Sequence, residues 1–189
     1  DNGTAAFICD YRHRGKGYRH PAPLEDAQRA IRTVRARAKE FNVEPAKIGI
    51  LGFSAGGHLT SSAVTHFDKG KTDSDDPIQK VSCRPDFGVL CYPVIAFNEK
   101  FTHVGSQNNL LGKDAPEELV KSMSSEKQVT AETPPCFLWH TYEDTGVPPE
   151  NSIVFYLASI KTKVPDEMHT YQKGPPGVDR GKGTAGTEE

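Results

Sequence analysis

Gly52-Phe53-Ser54-Ala55-Gly56-Gly57 is the segment of this sequence best suited to chemistry. Small residues at 52 and 56 let the backbone make a tight, strained turn that pushes the Ser54 hydroxyl into the open. The preceding residues, Lys47-Ile48-Gly49-Ile50-Leu51, form a short β-type run, and His58-Leu59-Thr60-Ser61-Ser62-Ala63-Val64 can continue as helix. Strand, turn and helix in that order make Ser54 a nucleophile for acyl transfer. The next amide, Ala55 N–H, then sits at a helix N-terminus, where it stabilises the oxyanion formed on attack.

A serine nucleophile needs a base to take its proton and a carboxylate to orient that base. In α/β-hydrolases these follow the serine in the order acid, then histidine. The loop His140-Thr141-Tyr142-Glu143-Asp144-Thr145-Gly146-Val147-Pro148 comes directly after an apolar strand, the place where catalytic groups of parallel sheets gather. Asp144 is the expected acid and Glu143 the alternative; a surface turn or a cap for the following helix is the other role open to Asp144. The base is expected in Lys173-Gly174-Pro175-Pro176-Gly177-Val178-Asp179, which contains no histidine. His169 lies upstream inside a strand, where packing or surface is the expected role. His58 and His140 sit on the elbow helix and at the end of the acid strand, and His20, His66 and His103 have no positional argument.

The elements that must position these groups alternate along the chain. Ala5–Tyr11 reads as a buried strand. Pro23 stands near the first turn of a helix whose Leu24, Ala27, Ile31, Val34, Ala38 and Phe41 form one apolar stripe. After the elbow, residues 68–85 are polar loop. Phe87–Ile95 and Cys136–His140 are apolar runs suited to a parallel sheet buried on both faces, and Glu167–Tyr171 suits a more exposed final strand. The excursion over 96–135 holds a short helix at Pro116–Met123, and Pro148–Lys161 is a further helix. The expected architecture is an α/β fold with a mainly parallel sheet and helices on both faces. With the elbow at Ser54, residues 1–173 are expected to form a partial domain of the α/β-hydrolase type. Residues 174–189 hold five glycines, two prolines and no aromatic residue, which predicts a mobile tail.

The 189 residues fit one domain, and a formal net charge of −2 with pI about 6.4 points to neither nucleic acid nor an anionic membrane. Arg29, Arg32, Arg35, Arg37 and Lys39 fall mostly on the polar side of one helix and read as a solvated face. No apolar stretch approaches the ~20 residues of a membrane span. The first residues, Asp1-Asn2-Gly3-Thr4, do not read as a signal peptide, and the start without Met reads as a processed product or a piece of a longer chain. Cys9, Cys83, Cys91 and Cys136 match no zinc spacing and read as buried thiols in preference to disulfides. No metal or cofactor is called for.

Several segments together resemble a bacterial family of acetyl xylan esterase-like, or carbohydrate esterase-like, serine hydrolases within the α/β-hydrolases. They are Tyr18–Ala27, Gly52–His58, Asn109-Leu110-Leu111-Gly112, the run from Glu126 to Pro135, and His140-Thr141-x-x-Asp144-x-x-Val147-Pro148-x-x-Asn151-Ser152. The resemblance covers about residues 5 to 175. It implies deacetylation of sugar or other small acyl esters, with Ser54 as nucleophile, Asp144 as triad acid and Ala55 N–H as one oxyanion donor. The substrate would be a small-molecule or polysaccharide acyl ester.

Two departures stand out. The family's closing motif resembles Lys-Gly-Pro-His-Gly, and Pro176 occupies the place of its histidine base; losing such a base costs on the order of 10⁶ in kcat. The family's earlier strands and His-Gly-Gly oxyanion loop have no counterpart before Asp1. That removes a second oxyanion donor worth ~3–4 kcal/mol and leaves a gap between Ala5–Tyr11 and the elbow strand. The sequence therefore reads as a truncated or damaged serine esterase. The alternatives are a non-catalytic relative that binds carbohydrate or protein, and a prolyl-oligopeptidase-like peptidase.

Overall fold

Four short runs, the last of them partly polar, pair as parallel strands in the order in which they occur in the sequence. The computed structural model describes residues 3–173. Its elements are α1 (Ala22–Ala36), β1 (Gly49–Phe53), α2 (Ala55–Thr65), β2 (Phe87–Cys91), α3 (Val104–Leu111), α4 (Glu117–Ser122), β3 (Cys136–Thr141), α5 (Glu150–Thr162) and β4 (Glu167–Tyr171). The expectations for Pro176 and for the tail 174–189 lie outside the described residues.

Register fixes which side chains share a face. Gly52, Leu90, Leu138 and Met168 stand abreast across the sheet, and Phe53, Cys91, Trp139 and His169 form the next row on the opposite face. The first face meets α2 and α5, burying Val64, Leu90, Ile95, Leu138 and Phe155 in one core. Each right-handed crossover steps to the next strand in the same direction, so both helices fall on one side. α1 packs outside α2 through Leu24, Ile31 and Ala63. The second face carries Phe53, Val89, Phe137, Trp139 and Tyr171, a cluster built among the described residues from the strands and Tyr92 alone. Leu51 at 56% and Phe87 at 45% exposure mark how open that face is.

The α1 stripe is buried as its spacing predicts at Leu24, Ala27, Ile31 and Ala38, with Val34 and Phe41 half-buried. Pro23 stands in the first turn, where its missing N–H has no helical partner to lose. The basic side of this helix is not simply solvated. Arg32 is buried, donates to the Val81 carbonyl and holds Asp68 at 2.5 Å, and Arg35 pairs with Asp86 at 2.8 Å. These guanidiniums tie down the polar loop between α2 and β2, which has no core of its own to hold it.

Ala5–Tyr11 differs from expectation. It is extended chain outside the sheet, with Ile8 98% exposed and Cys9 exposed. A strand is buried only if a ladder neighbour carries it into a sheet, and among the described residues β1 is an edge strand with none on that side. The gap expected beside the elbow strand is not closed. Cys83, Cys91 and Cys136 are buried, and no disulfide links the four cysteines.

The excursion after β2 contains α4, close to its expected place, and also α3, which the sequence did not announce. Val94, Phe97, Val120, Met123 and Val147 form a second core beneath it. No helix among the described residues is long and apolar enough to cross a membrane.

Candidate active site

Ser54 links β1 to α2 with φ 52° and ψ −117°, a backbone region costing a non-glycine residue roughly 1–3 kcal/mol. Three hydrogen bonds hold it there. Its N–H donates to the Cys91 carbonyl at 3.0 Å, and its own carbonyl accepts from Val94 N–H at 3.1 Å and His58 N–H at 3.2 Å. The turn is thus fastened to the end of β2 and the residues after it.

Two glycines make the close approach possible, Gly52 as expected and Gly57 in place of Gly56. A Cβ on Gly52 would lie 2.1 Å from the Gly56 carbonyl oxygen and 2.5 Å from Thr60 Oγ1, so α2 can start this close to β1 only over glycine. A Cβ on Gly57 would lie 2.7 Å from Pro93 Cα. A Cβ on Gly56 meets nothing within 4 Å, so the tight packing is at 52 and 57. Ala55 is the first residue of α2 and is exposed; its N–H has no acceptor among the described residues and is free to meet an oxyanion.

Asp144 lies beyond the end of β3 and is buried, whereas Glu143 is exposed and its side chain makes no hydrogen bond among the described residues. Asp144 Oδ1 accepts N–H bonds from Gly146 and Val147, both at 2.9 Å, which closes the loop. Its Oδ2 lies 3.8 Å from His140 Nε2. Both the turn role and a second oxygen, without a hydrogen bond among the described residues, are therefore present in one residue. Ser54 and Asp144 rise from the same end of the sheet on strands separated only by β2, an interstrand span of about 9–10 Å. β4 runs parallel and ends at Tyr171 at that same end, so chain leaving it starts beside the acid loop.

No histidine among the described residues hydrogen-bonds to the Ser54 hydroxyl. His169 is exposed on β4 and bonds Glu167 at 2.6 Å. His58 is buried on α2, stacked on Phe97 at 4.6 Å, with Nε2 at 2.8 Å from the Met123 carbonyl. Burial pushes its pKa down to about 4. Neutral and donating through Nε2–H to a carbonyl, it keeps Nδ1 bare to face Ser62 Oγ at 3.5 Å. His140 is likewise lowered by burial; its Nε2–H donates to the Val147 carbonyl at 2.8 Å and its Nδ1 accepts from the Ser152 hydroxyl at 2.7 Å.

Sequence reasoning named Asn151 and Ser152 only within a resembling motif. Asn151 Oδ1 accepts from Ile95 and Ala96 N–H, and its amide donates to the Phe101 and Pro148 carbonyls. One buried side chain thereby joins the end of the acid loop to the segment after β2. The signal available in sequence was a polar pair inside an otherwise apolar helix.

Beside the elbow is a cavity of about 440 Å³, reaching Ala55, His58, Leu59 and Ser62 along one side of α2. Its opposite wall comes from the chain before α1 and from α3.

A parallel sheet with crossover helices, and a serine held at positive φ between β1 and α2, defines an α/β-hydrolase. The chain belongs to the BD-FAE family, whose family model matches residues 1–158. It is 42% identical over 155 residues to endo-1,4-beta-xylanase B of Butyrivibrio fibrisolvens, covering 82% of this chain and 24% of that protein. It is 33% identical over 185 residues to the acetylxylan esterase of Xylanibacter ruminicola, covering 95% of this chain and 35% of that one. The chain thus spans about a quarter to a third of these curated relatives. Among solved structures, the acetyl ester-xyloside bifunctional hydrolase from Caldicellulosiruptor lactoaceticus superposes with a TM-score of 0.91 at 49% identity, covering 95% of this chain and 65% of that one.

Proposed function

We propose that this chain carries the nucleophile and acid of a serine esterase that removes acetyl or other short acyl groups from carbohydrate. The observation that carries the reading is the strained Ser54 between β1 and α2, held by Cys91, Val94 and His58, with the Ala55 amide open beside it. The relatives, named for acetylxylan and acetyl ester-xyloside, supply the substrate class and favour an esterase over a peptidase.

In this reading the Ser54 hydroxyl oxygen attacks the ester carbonyl, and the oxyanion is met by Ala55 N–H. Collapse expels the sugar alcohol and leaves an acyl-enzyme, which water then hydrolyses. Asp144 orients the base through Oδ2 while Oδ1 stays committed to its loop. The proton-accepting histidine belongs to the segment after β4, where the sequence has Pro176, so turnover by these 189 residues is slow. Hydrolysis of p-nitrophenyl acetate tests the assignment: the rate above buffer disappears in Ser54→Ala, and an unchanged rate in that variant sinks it.

A further inference from the structure

α5 turns a row of large aliphatic side chains to solvent. We propose that this row is the two-fold interface of a homodimer, in which α5 of one copy packs antiparallel on α5 of a second. One side of the helix is committed to the core through Asn151, Ser152, Phe155 and Ser159. The opposite side carries Ile153, Leu157 and Ile160, which are 41%, 56% and 55% exposed. Steps of four and three residues put all three in one line along the helix. The outward side of a surface helix is ordinarily polar. α1 and α4 follow that rule, with Glu25 on the first and Glu117, Glu118 and Lys121 on the second exposed.

The charges at the two ends of the row select its occupant. Glu150 stands in the first turn of α5 and Lys161 in the last, and at 100° per residue both fall on the side of Leu157. Lys163 follows at the C-cap. All three are exposed, and none forms an ion pair among the described residues. An acid at one end, aliphatics between and bases at the other end make a surface complementary to itself after a half-turn about its centre. In that arrangement Ile153 meets Ile160 of the second copy, Leu157 packs beside its symmetry mate, and each Glu150 reaches Lys161 or Lys163 across the axis. Parallel pairing would set Glu150 against Glu150. A partner without this charge order would cover the aliphatics and leave both ends unpaired. Rows of this spacing suit helices crossing at about 20° and 8–10 Å apart. Thirteen residues make a contact about 20 Å long. That is small for a permanent interface, so the association is reversible and depends on concentration.

Sedimentation velocity on the 189-residue chain, from micromolar to near-millimolar protein, is expected to show a monomer–dimer equilibrium. Leu157→Glu raises the dissociation constant at least tenfold and leaves the far-UV circular dichroism unchanged, because the side chain it replaces is exposed. Charge reversal reads the orientation separately. Glu150→Lys and Lys161→Glu each weaken self-association severalfold. Mixed together they form a heterodimer tighter than either variant alone, since lysine then meets glutamate at both ends. A chain that stays monomeric at the highest concentration overturns the interface, and so does a mixture no tighter than its components. A dimer that survives Leu157→Glu but dissociates in Leu51→Glu belongs to the open face of the sheet and overturns it as well.

Discussion

His140 Nε2 lies 3.8 Å from Asp144 Oδ2 while the same N–H donates to the Val147 carbonyl at 2.8 Å. The imidazole therefore sets the loop that presents the carboxylate, and the carboxylate borders the ring's positive edge. Asp144→Asn keeps an oxygen for the Gly146 and Val147 amides, so its Tm is expected within about 3 °C of the parent, less than ~1 kcal/mol. His140→Phe strands the Ser152 hydroxyl and the Val147 carbonyl and costs about 2–3 kcal/mol, read as a lower urea midpoint.

Restoring a base tests the active-site reading from the other side. Pro176→His is expected to raise kcat on p-nitrophenyl acetate at least 10²-fold, given that a triad histidine carries up to about 10⁶. In that background Asp144→Asn is expected to remove most of that gain, because the acid acts only through the restored histidine. A Pro176→His variant no faster than the parent removes support for Asp144 and Ser54 as partners in a triad.

The glycines of the elbow separate by what a methyl group would meet. Gly52→Ala collides with the Gly56 carbonyl and Gly57→Ala with Pro93, so each loses about 2 kcal/mol or more. Gly56→Ala enters open space within a helix and is neutral or stabilising by about 0.5 kcal/mol. Thermal melts of the three variants rank them directly, and a destabilised Gly56→Ala contradicts the packing described.

Acid should weaken this protein as its buried histidines take up protons. Folded His58 has a pKa of about 4 against about 6.5 when unfolded, so between these values the unfolded chain binds more protons. Stability from the neutral ring is complete above about pH 6.5 and drains as pH falls toward 4, a loss on the order of 3 kcal/mol. His140 is lowered by burial too and acts in the same direction. Urea midpoints from pH 7 to 4 show the decline, and His58→Gln flattens it.

Much of the framework was legible because periodicity and turn chemistry are local. The α1 stripe, the elbow, the two apolar strands after it and the alternating Glu167–Tyr171 follow from residues a few positions apart. Ala5–Tyr11 was misread because its composition suits a buried strand, while burial depends on a neighbour that local sequence does not contain. Arg32 looked solvated because its partners, Asp68 and Val81, lie in a loop dozens of residues away. α3 was missed because His103, through its own ring accepting from Ser106 N–H, caps it in place of the usual serine or aspartate, and no residue of it is buried. The choice between Gly56 and Gly57 required knowing where Pro93 passes. Ser54, Asp144 and Ala55 could be singled out from motif and order; the braces on their loops, His140 and Asn151, act through tertiary contacts.

β1 is bonded to β2 along one side only among the described residues, and it is the strand that aims Ser54. The nucleophile proposed at Ser54 would depend on sub-ångström placement, yet its strand is supported by a single ladder among the described residues. The anchors on the Ser54 backbone from Cys91 and Val94 consequently act as the hinge pins of the whole elbow. Thermal fluctuation of the sheet margin translates into misaim of the hydroxyl long before it registers as unfolding, so reactivity should fade with temperature well below the melting transition.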